Sequence, residues 1–333
     1  MCAHRAARRA TLENLLSSLQ NELNLNPSQP LFKLTYTSSP NWPYYLIDST
    51  NKSRNNPTLK IAILDSSFNP PTKAHMQLLL QSVKNQTNSK PDNNFVPFDA
   101  CLLLYAIKNA DKTPSPSDAG PVDRLLMMES LASQINSTII KTEPTFNSLQ
   151  NIATGVITHP LFMDKAKAIR SYLINNNNKP SHSIDSSNGV DNSPQVSLYF
   201  ILGFDTVIRL FNPQYYSNIY KELNSFFEIS KIICANRDGY GGREFEENFF
   251  KSDIIKEIIG ESGKLIGVKL DDELAKISST NVRKAVSDAW NIERQETDDY
   301  GEREEMIKNI LYNFCPESVA EFIIQEKLYR NIR

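Results

Sequence analysis

From Lys60 onward, short apolar runs alternate with stretches whose apolar residues recur every three or four positions. Six runs read as strands: Ile61–Leu64, Cys101–Tyr105, Thr138–Lys141, Ser197–Leu202, Lys231–Ala235 and Leu265–Lys269. They show little polar alternation, as expected of strands covered on both faces. Helical patterns lie between them, at Thr72–Val83 and Val122–Gln134. Asp253–Ile259 carries Ile254, Ile255, Ile258 and Ile259 on one face and stops at Gly260, a helix-ending residue. Met306, Ile307, Ile310, Leu311 and Phe314 form a further apolar face, and Pro316 opens a last helix with Val319, Phe322 and Ile323. This succession predicts an α/β fold: a Rossmann-like, doubly wound parallel sheet with a C-terminal helical segment.

Two stretches stand outside that pattern. Residues 1–57 read as an N-terminal extension, partly disordered, with a short amphipathic helix at Thr11–Leu23 and one strand at Leu31–Tyr36. Residues 58–333 then form one domain. Residues 175–195 have almost no large apolar side chains and read as a disordered surface insertion, with His182 solvated inside it. There is no internal repeat.

Composition narrows the picture. A net charge of −2 with both signs mixed excludes a polybasic nucleic-acid binder. No apolar stretch approaches the roughly 20 residues needed to span a bilayer, so no membrane partner is expected. Cys2, Cys101, Cys234 and Cys315 are not at metal-ligand or redox spacing, which fits a reducing compartment. Arg5, Arg8 and Arg9 precede the first acid, Glu13, but Glu13 and Glu22 interrupt a transit-peptide pattern. Cytoplasm or nucleus is therefore preferred to the mitochondrion, and the basic start reads as a frayed tail. Eleven glycines in 333 residues is about half the usual share, which counts against several glycine-rich phosphate loops. Trp42 and Trp290 read as packing residues, and His159, ahead of Pro160, as a loop histidine.

The first chemical constellation follows the first strand: Asp65-Ser66-Ser67-Phe68-Asn69-Pro70-Pro71-Thr72-Lys73-Ala74-His75. In open α/β sheets, ligands bind beyond the carboxyl ends of strands. The free N–H groups of the following helix favour an anion there. Thr72 and His75, three apart, share a face of its first turn. A hydroxyl and an imidazole so placed can stabilise charge developing on a transferring phosphorus without either becoming a nucleophile. For an isolated histidine the simpler account is a cap or packing role.

The second constellation, Ile277-Ser278-Ser279-Thr280-Asn281-Val282-Arg283, follows the last strand. Hydroxyls, amides and a guanidinium at one helix start suit a polyphosphate. Alone, it would read as a capped helix with a surface arginine.

Together these runs resemble the nucleotidyltransferase superfamily with the Thr/His-x-Gly-His motif, and in detail the nicotinamide mononucleotide adenylyltransferase family. The family loop runs Gly-Ser-Phe-Asn-Pro, then Thr-x-x-His; here it is Ser66-Ser67-Phe68-Asn69-Pro70, then Thr72-Lys73-Ala74-His75. Ile277-Ser278-Ser279-Thr280-x-Val282-Arg283 matches the second hallmark. Gly203-Phe204-Asp205-Thr206 resembles the family's Gly-x-Asp turn, and Asn236-Arg237-Asp238-Gly239-Tyr240 its Asn-Arg-x-Gly-Tyr. Pro316–Tyr329 resembles the C-terminal helix, as packing rather than chemistry. The match covers roughly residues 60–330. Ser66 stands where the family has glycine and Ala74 where the broader superfamily has one. A Cβ and hydroxyl at position 66 would crowd a phosphate or add a hydrogen bond to it, which leaves room for a lower catalytic efficiency. The Asp65-Ser66-Ser67 variant and the Asn/Ser insertion point to a divergent fungal branch.

The resemblance implies an adenylyltransferase that forms NAD and pyrophosphate from ATP and nicotinamide mononucleotide. It implies His75 and Lys112 as catalytic, with Lys108 the alternative lysine. It places ATP against Ser67, Phe68, Thr72, His75, Gly203, Asp205, Ser279, Thr280, Asn281 and Arg283. Asp205 would take the ribose hydroxyls, unless it merely caps. The other substrate would meet Ser66, Ser67, Lys112, Arg124 and Arg237, although Arg237 also fits a surface turn. Phe162, Asp164 and Lys165 are candidates for the pyridine end without a motif behind them. Mg²⁺ would travel with ATP, and no protein-held metal is expected. Nicotinate mononucleotide, phosphopantetheine or a small alcohol phosphate are the other acceptors open to such a fold. From another class, the Ser66 change also fits an ATP-binding regulatory protein or slow ATP hydrolase acting through a protein partner, which no motif identifies.

Overall fold

Alternating side chains of each strand divide between two apolar layers, one on each face of a seven-stranded sheet. The computed structural model describes residues 2–44, 58–87, 98–108, 115, 118–142, 147–176, 195–235, 242–260, 263–291 and 300–330. In chain order, α1 (Cys2–Leu25) and β1 (Phe32–Thr37) precede β2 (Leu59–Asp65), α2 (Lys73–Thr87), β3 (Ala100–Ala106), α3 (Pro121–Thr142), α4 (Asn147–Gln150) and β4 (Ile152–Ile157). Then come α5 (Phe162–Asn176), β5 (Val196–Gly203), α6 (Phe204–Leu210), α7 (Ile219–Ile229), β6 (Ser230–Ala235), α8 (Gly242–Phe250), α9 (Asp253–Ile259) and β7 (Leu265–Val268). Four helices complete the chain: α10 (Asp272–Ala275), α11 (Ser279–Asn291), α12 (Tyr300–Phe314) and α13 (Glu317–Glu326).

The sheet order is β1-β4-β3-β2-β5-β6-β7, parallel except for β1, which runs antiparallel to β4. The chain runs outward from β2 to β3 and β4, then returns to β2's other side for β5, β6 and β7. The order therefore reverses between β2 and β5, and the carboxyl ends of these two strands open the crevice where such sheets hold ligands. One layer packs α1, α2, α3, α11, α12 and α13 against Ala62, Leu64, Leu103 and Ile201. The other packs α5, α6, α7 and α9 against Ile61, Ile63, Leu102 and Phe200. Both faces are dry, which is why the strands lack polar alternation. The α/β fold with a parallel sheet read from the sequence is the one observed.

Three expectations are corrected. Thr138–Lys141 is not a strand but the last turn of α3. Ile139 is 2% exposed and Ile140 51%, because Ile139 continues the helical stripe of Leu131 and Ile135 while Ile140 points outward. The strand at this point is instead Ile152–Ile157, whose short, glycine-containing run gave no signal. A Cβ at Gly155 would come within 2.6 Å of the Phe32 ring, so β1 can lie on β4 only because this residue is glycine.

Residues 2–44 do not stand outside the core as the 1–57 extension was expected to. Leu12 and Leu19 of α1 and Trp42 are buried, and β1 completes the sheet edge. The basic residues of α1 are used in docking: Arg8 pairs with Glu129 at 2.6 Å, Arg9 with Asp123 at 2.7 Å and Glu326 at 2.9 Å, and Arg5 with Glu326 at 3.3 Å. They belong to the packing of α1 on α3 and α13 rather than to a frayed tail. The expected insertion falls mainly on residues 177–194, outside the described residues; residues 175 and 176 end α5.

Trp42 donates its indole N–H to the Cys101 carbonyl at 3.1 Å, and Arg330 lies 3.9 Å above the Trp290 ring. Both tryptophans are occupied in packing. Burial pushes the Cys234 and Cys315 thiols up to about 12 and raises Cys101 as well, so all three behave as small hydrophobes. Among the described residues, no helix is long and apolar enough to cross a membrane.

Candidate active site

β2 delivers Asp65 and Ser66 to the carboxyl edge of the sheet, and the Ser66 N–H extends the ladder by donating to the Leu104 carbonyl at 3.2 Å. The loop then turns through Phe68, whose φ is +46° and whose ring is fully buried. The left-handed residue is thus Phe68. Ser66 is not among the residues with positive φ, so serine in place of glycine there carries no backbone strain. Phe68 offers a ligand only its main chain, since its ring lies in the core 5.4 Å from that of His75.

His75 performs two jobs with two nitrogens. Thr72 is the residue ahead of α2, and its carbonyl accepts the first helical bond, from Met76 N–H at 3.2 Å. His75, three residues on, accepts at Nδ1 from the Thr72 N–H at 3.0 Å, and the Thr72 hydroxyl lies 2.8 Å from the same nitrogen. This is a capping box with imidazole in place of a carboxylate. An Nδ1 that accepts from a backbone N–H leaves the neutral ring's proton on Nε2, an assignment made from the hydrogen-bond network. Nε2 lies 2.9 Å from the Ser66 hydroxyl and donates to it. The cap reading of His75 therefore holds at Nδ1, while Nε2 is turned to the loop. Thr72, fully buried, does not face an anion as expected; it fixes the imidazole's tautomer and direction.

The second motif closes on the first. Ser278 caps α11 by accepting from the Asn281 N–H at 3.1 Å. The Ser279 hydroxyl donates to the Pro70 carbonyl at 2.8 Å, and Arg283 Nη1 donates to the Asn69 carbonyl at 2.6 Å. Two runs more than 200 residues apart thus meet on consecutive carbonyls of one loop. Ser279 engages that loop rather than pointing away from it. Thr280 and Asn281 are exposed at the start of α11.

Arg124 is buried. Its Nε donates to the Ala119 carbonyl at 2.8 Å and its Nη1 to the Ser67 carbonyl at 3.4 Å, and its Nη2 lies 3.3 Å from Asp118. These contacts make it a strut for the loop rather than a substrate contact. Gly203 ends β5 and precedes α6 with extended backbone angles. Its missing Cβ matters because the Asp205 carboxylate lies 2.7 Å from where that carbon would be. Asp205 also pairs with Arg209 at 3.4 Å, one turn along α6. Lys108 is exposed at the end of the described segment after β3, while Lys112, Arg237 and Gly239 lie outside the described residues.

Three participants were not legible as such. Asp118, which belongs to none of the motifs, accepts from Asn69 Nδ2 at 2.6 Å and faces both Arg124 and Arg283. Tyr329, taken with the C-terminal helix as packing, donates its hydroxyl to Asn69 Oδ1 at 3.0 Å; its burial pushes the phenol well above its ordinary range. Lys165, in the first turn of α5, forms a 2.5 Å ion pair with Asp65 and lies 4.6 Å from the Phe162 ring centroid. It was a candidate for the pyridine end, but its ammonium is committed beneath the loop.

No family model matches the chain. A Schizosaccharomyces pombe protein, provisionally named a nicotinamide mononucleotide adenylyltransferase, is 28% identical over 234 residues, covering 68% of this chain and 75% of the relative. The solved structures include Plasmodium falciparum nicotinic acid mononucleotide adenylyltransferase complexed with APC, at 14% identity and TM-score 0.43. The same protein complexed with NaAD gives 15% identity and TM-score 0.44; both alignments cover 81% of this chain and 97% of that one. At those scores the structural likenesses add no weight, and the assignment rests on the sequence relative and on two hallmark motifs joined at the switch point of the sheet. On that ground the chain is similar to the nicotinamide mononucleotide adenylyltransferases of the nucleotidyltransferase superfamily.

Proposed function

We propose that this protein transfers the adenylyl group of ATP to nicotinamide mononucleotide, forming NAD. A phosphate oxygen of the mononucleotide attacks the α-phosphorus, a new P–O bond forms in line, and the bond to pyrophosphate breaks. The chain's residues would position and stabilise charge; none need form a covalent intermediate. His75 Nε2–H would donate to the α-phosphate as negative charge grows on it. Arg283 and the open start of α11, with Thr280 and Asn281, would hold the β- and γ-phosphates. Asp205 would meet the ribose, and Mg²⁺ would enter with the nucleotide on its phosphate oxygens. The observation that carries this reading is the convergence of His75 and Arg283 on the Ser66–Pro70 loop.

The test is an assay with purified protein, ATP, Mg²⁺ and nicotinamide mononucleotide, followed by competition from nicotinate mononucleotide. NAD above a His75→Ala control is expected. Acceptor-independent phosphate release without NAD would instead favour a slow ATP hydrolase or regulatory role.

Ser66 gives a second expected result. Its hydroxyl occupies the Nε2–H that a phosphate must use, so the nucleotide has to displace a protein hydrogen bond. Such a bond is worth about 1 kcal/mol, so Ser66→Gly should raise kcat/KM for ATP roughly fivefold. An unchanged or lower kcat/KM would show that the hydroxyl does not compete with the nucleotide.

A further inference from the structure

Asp118 is the one carboxylate, among the described residues, that faces both arginines of the site. Its side chain is 17% exposed. One oxygen, Oδ1, accepts from Asn69 Nδ2 at 2.6 Å and lies 3.6 Å from Arg283 Nε. The other, Oδ2, accepts from the Ser115 N–H at 3.2 Å and lies 3.3 Å from Arg124 Nη2. Asn69 is itself held, its Oδ1 accepting from the Ala119 N–H at 3.1 Å and from the Tyr329 hydroxyl at 3.0 Å. The carboxylate is thus fixed independently of Arg283.

Arg283 is held on two sides. Nη1 donates to the Asn69 carbonyl and the Nε edge faces Asp118, while Nη2 has no protein partner among the described residues. A planar guanidinium hydrogen-bonded at one nitrogen and facing a carboxylate with a second has its third set in direction. The same carboxylate separates two positive groups that would otherwise repel each other across the loop.

We propose that Asp118 is a positioning residue for Arg283: it holds the Nε edge so that Nη2 is presented to an anionic ligand. The ligand class is a nucleoside triphosphate, and in this the proposal rests on the function proposed above. Asp118 touches no phosphate. It acts through Arg283, and its removal should weaken triphosphate binding more than it slows turnover.

The experiment is a double-mutant cycle with Asp118→Asn, Arg283→Ala and the pair, read as KM for ATP, KM for the mononucleotide and kcat. Asp118→Asn is expected to raise KM for ATP about tenfold while kcat stays within about threefold and KM for the mononucleotide within about twofold. In the Arg283→Ala background it should add less than about twofold, because the residue through which it acts is gone. Asp118→Glu, which keeps the charge, should recover part of the lost affinity. An unchanged KM for ATP in Asp118→Asn, or full additivity in the pair, would overturn the proposal. Thermal melting reports folding, and Asp118→Ser replaces Asp118→Asn in the cycle if the latter melts at the assay temperature. The same cycle is read by calorimetric titration with Mg²⁺–ATP, which needs no turnover. Binding without transfer would remove the proposed reaction and leave the cycle to decide on Asp118; no binding by the wild type would remove both.

Discussion

Replacing His75 with alanine is expected to lower adenylyl transfer about 10²- to 10³-fold, the usual cost of deleting one preorganised donor to a developing oxyanion. The expectation rests on orientation. Nδ1 is tied to the Thr72 N–H and hydroxyl, so the proton is on Nε2 and faces the loop with the ring already oriented, and only the Ser66 hydroxyl has to give way. The same substitution removes a helix cap, worth about 0.5–2 kcal/mol of stability. The two effects can be separated. Thr72→Val removes the hydroxyl but keeps the backbone N–H on Nδ1, so its loss of rate should stay under about tenfold. Saturating kcat with thermal melting for both variants is the measurement. A His75→Ala enzyme within tenfold of wild type would show that the imidazole is only a cap.

Lys165→Met is expected to destabilise the fold by about 3–5 kcal/mol, because it leaves the Asp65 carboxylate buried without its counter-charge. The two side chains are 6% and 7% exposed, and Asp65 has no other charged partner among the described residues. Against a typical total stability of about 5–15 kcal/mol, that is a large share. Neutralising both groups in Asp65→Asn/Lys165→Met should return at least half of the loss, since an uncompensated charge is costlier than an absent pair. Urea unfolding of the wild type, the single and the double variant checks this. A double variant as unstable as Lys165→Met would place the cost in packing around the lysine instead. Because Asp65 directly precedes Ser66, the single variant should also bind triphosphate more weakly, by like-charge repulsion.

Much of the site was visible along the chain because its chemistry is local. A strand, a loop and a helix start are contiguous at residues 59–75, and a capped helix begins at residue 279, so spacing alone places His75 and Arg283 on helix starts. What could not be read depends on distant partners. Gly155 makes sense only with the Phe32 ring lying on it, a contact that no local run of residues displays. Ile139 and Ile140 look alike until one is buried and the other is not. Asp118 is one acid in a polar stretch until Asn69, Arg124 and Arg283 gather around it. The scarcity of glycine was misleading for a physical reason: the positive φ in the loop falls on Phe68, whose burial sustains it, and not on Ser66.

The Asn69–Tyr329 bond joins positions 260 residues apart. During synthesis, Asn69 leaves the ribosome long before Tyr329 is added, and before Ser279 and Arg283 as well. A nascent chain can therefore pair β2 with β3 while the Ser66–Pro70 loop still lacks the partners that fix its shape. The shape of that loop therefore waits on Tyr329, and a chain cut ahead of Tyr329 would carry the motif without the brace that holds it.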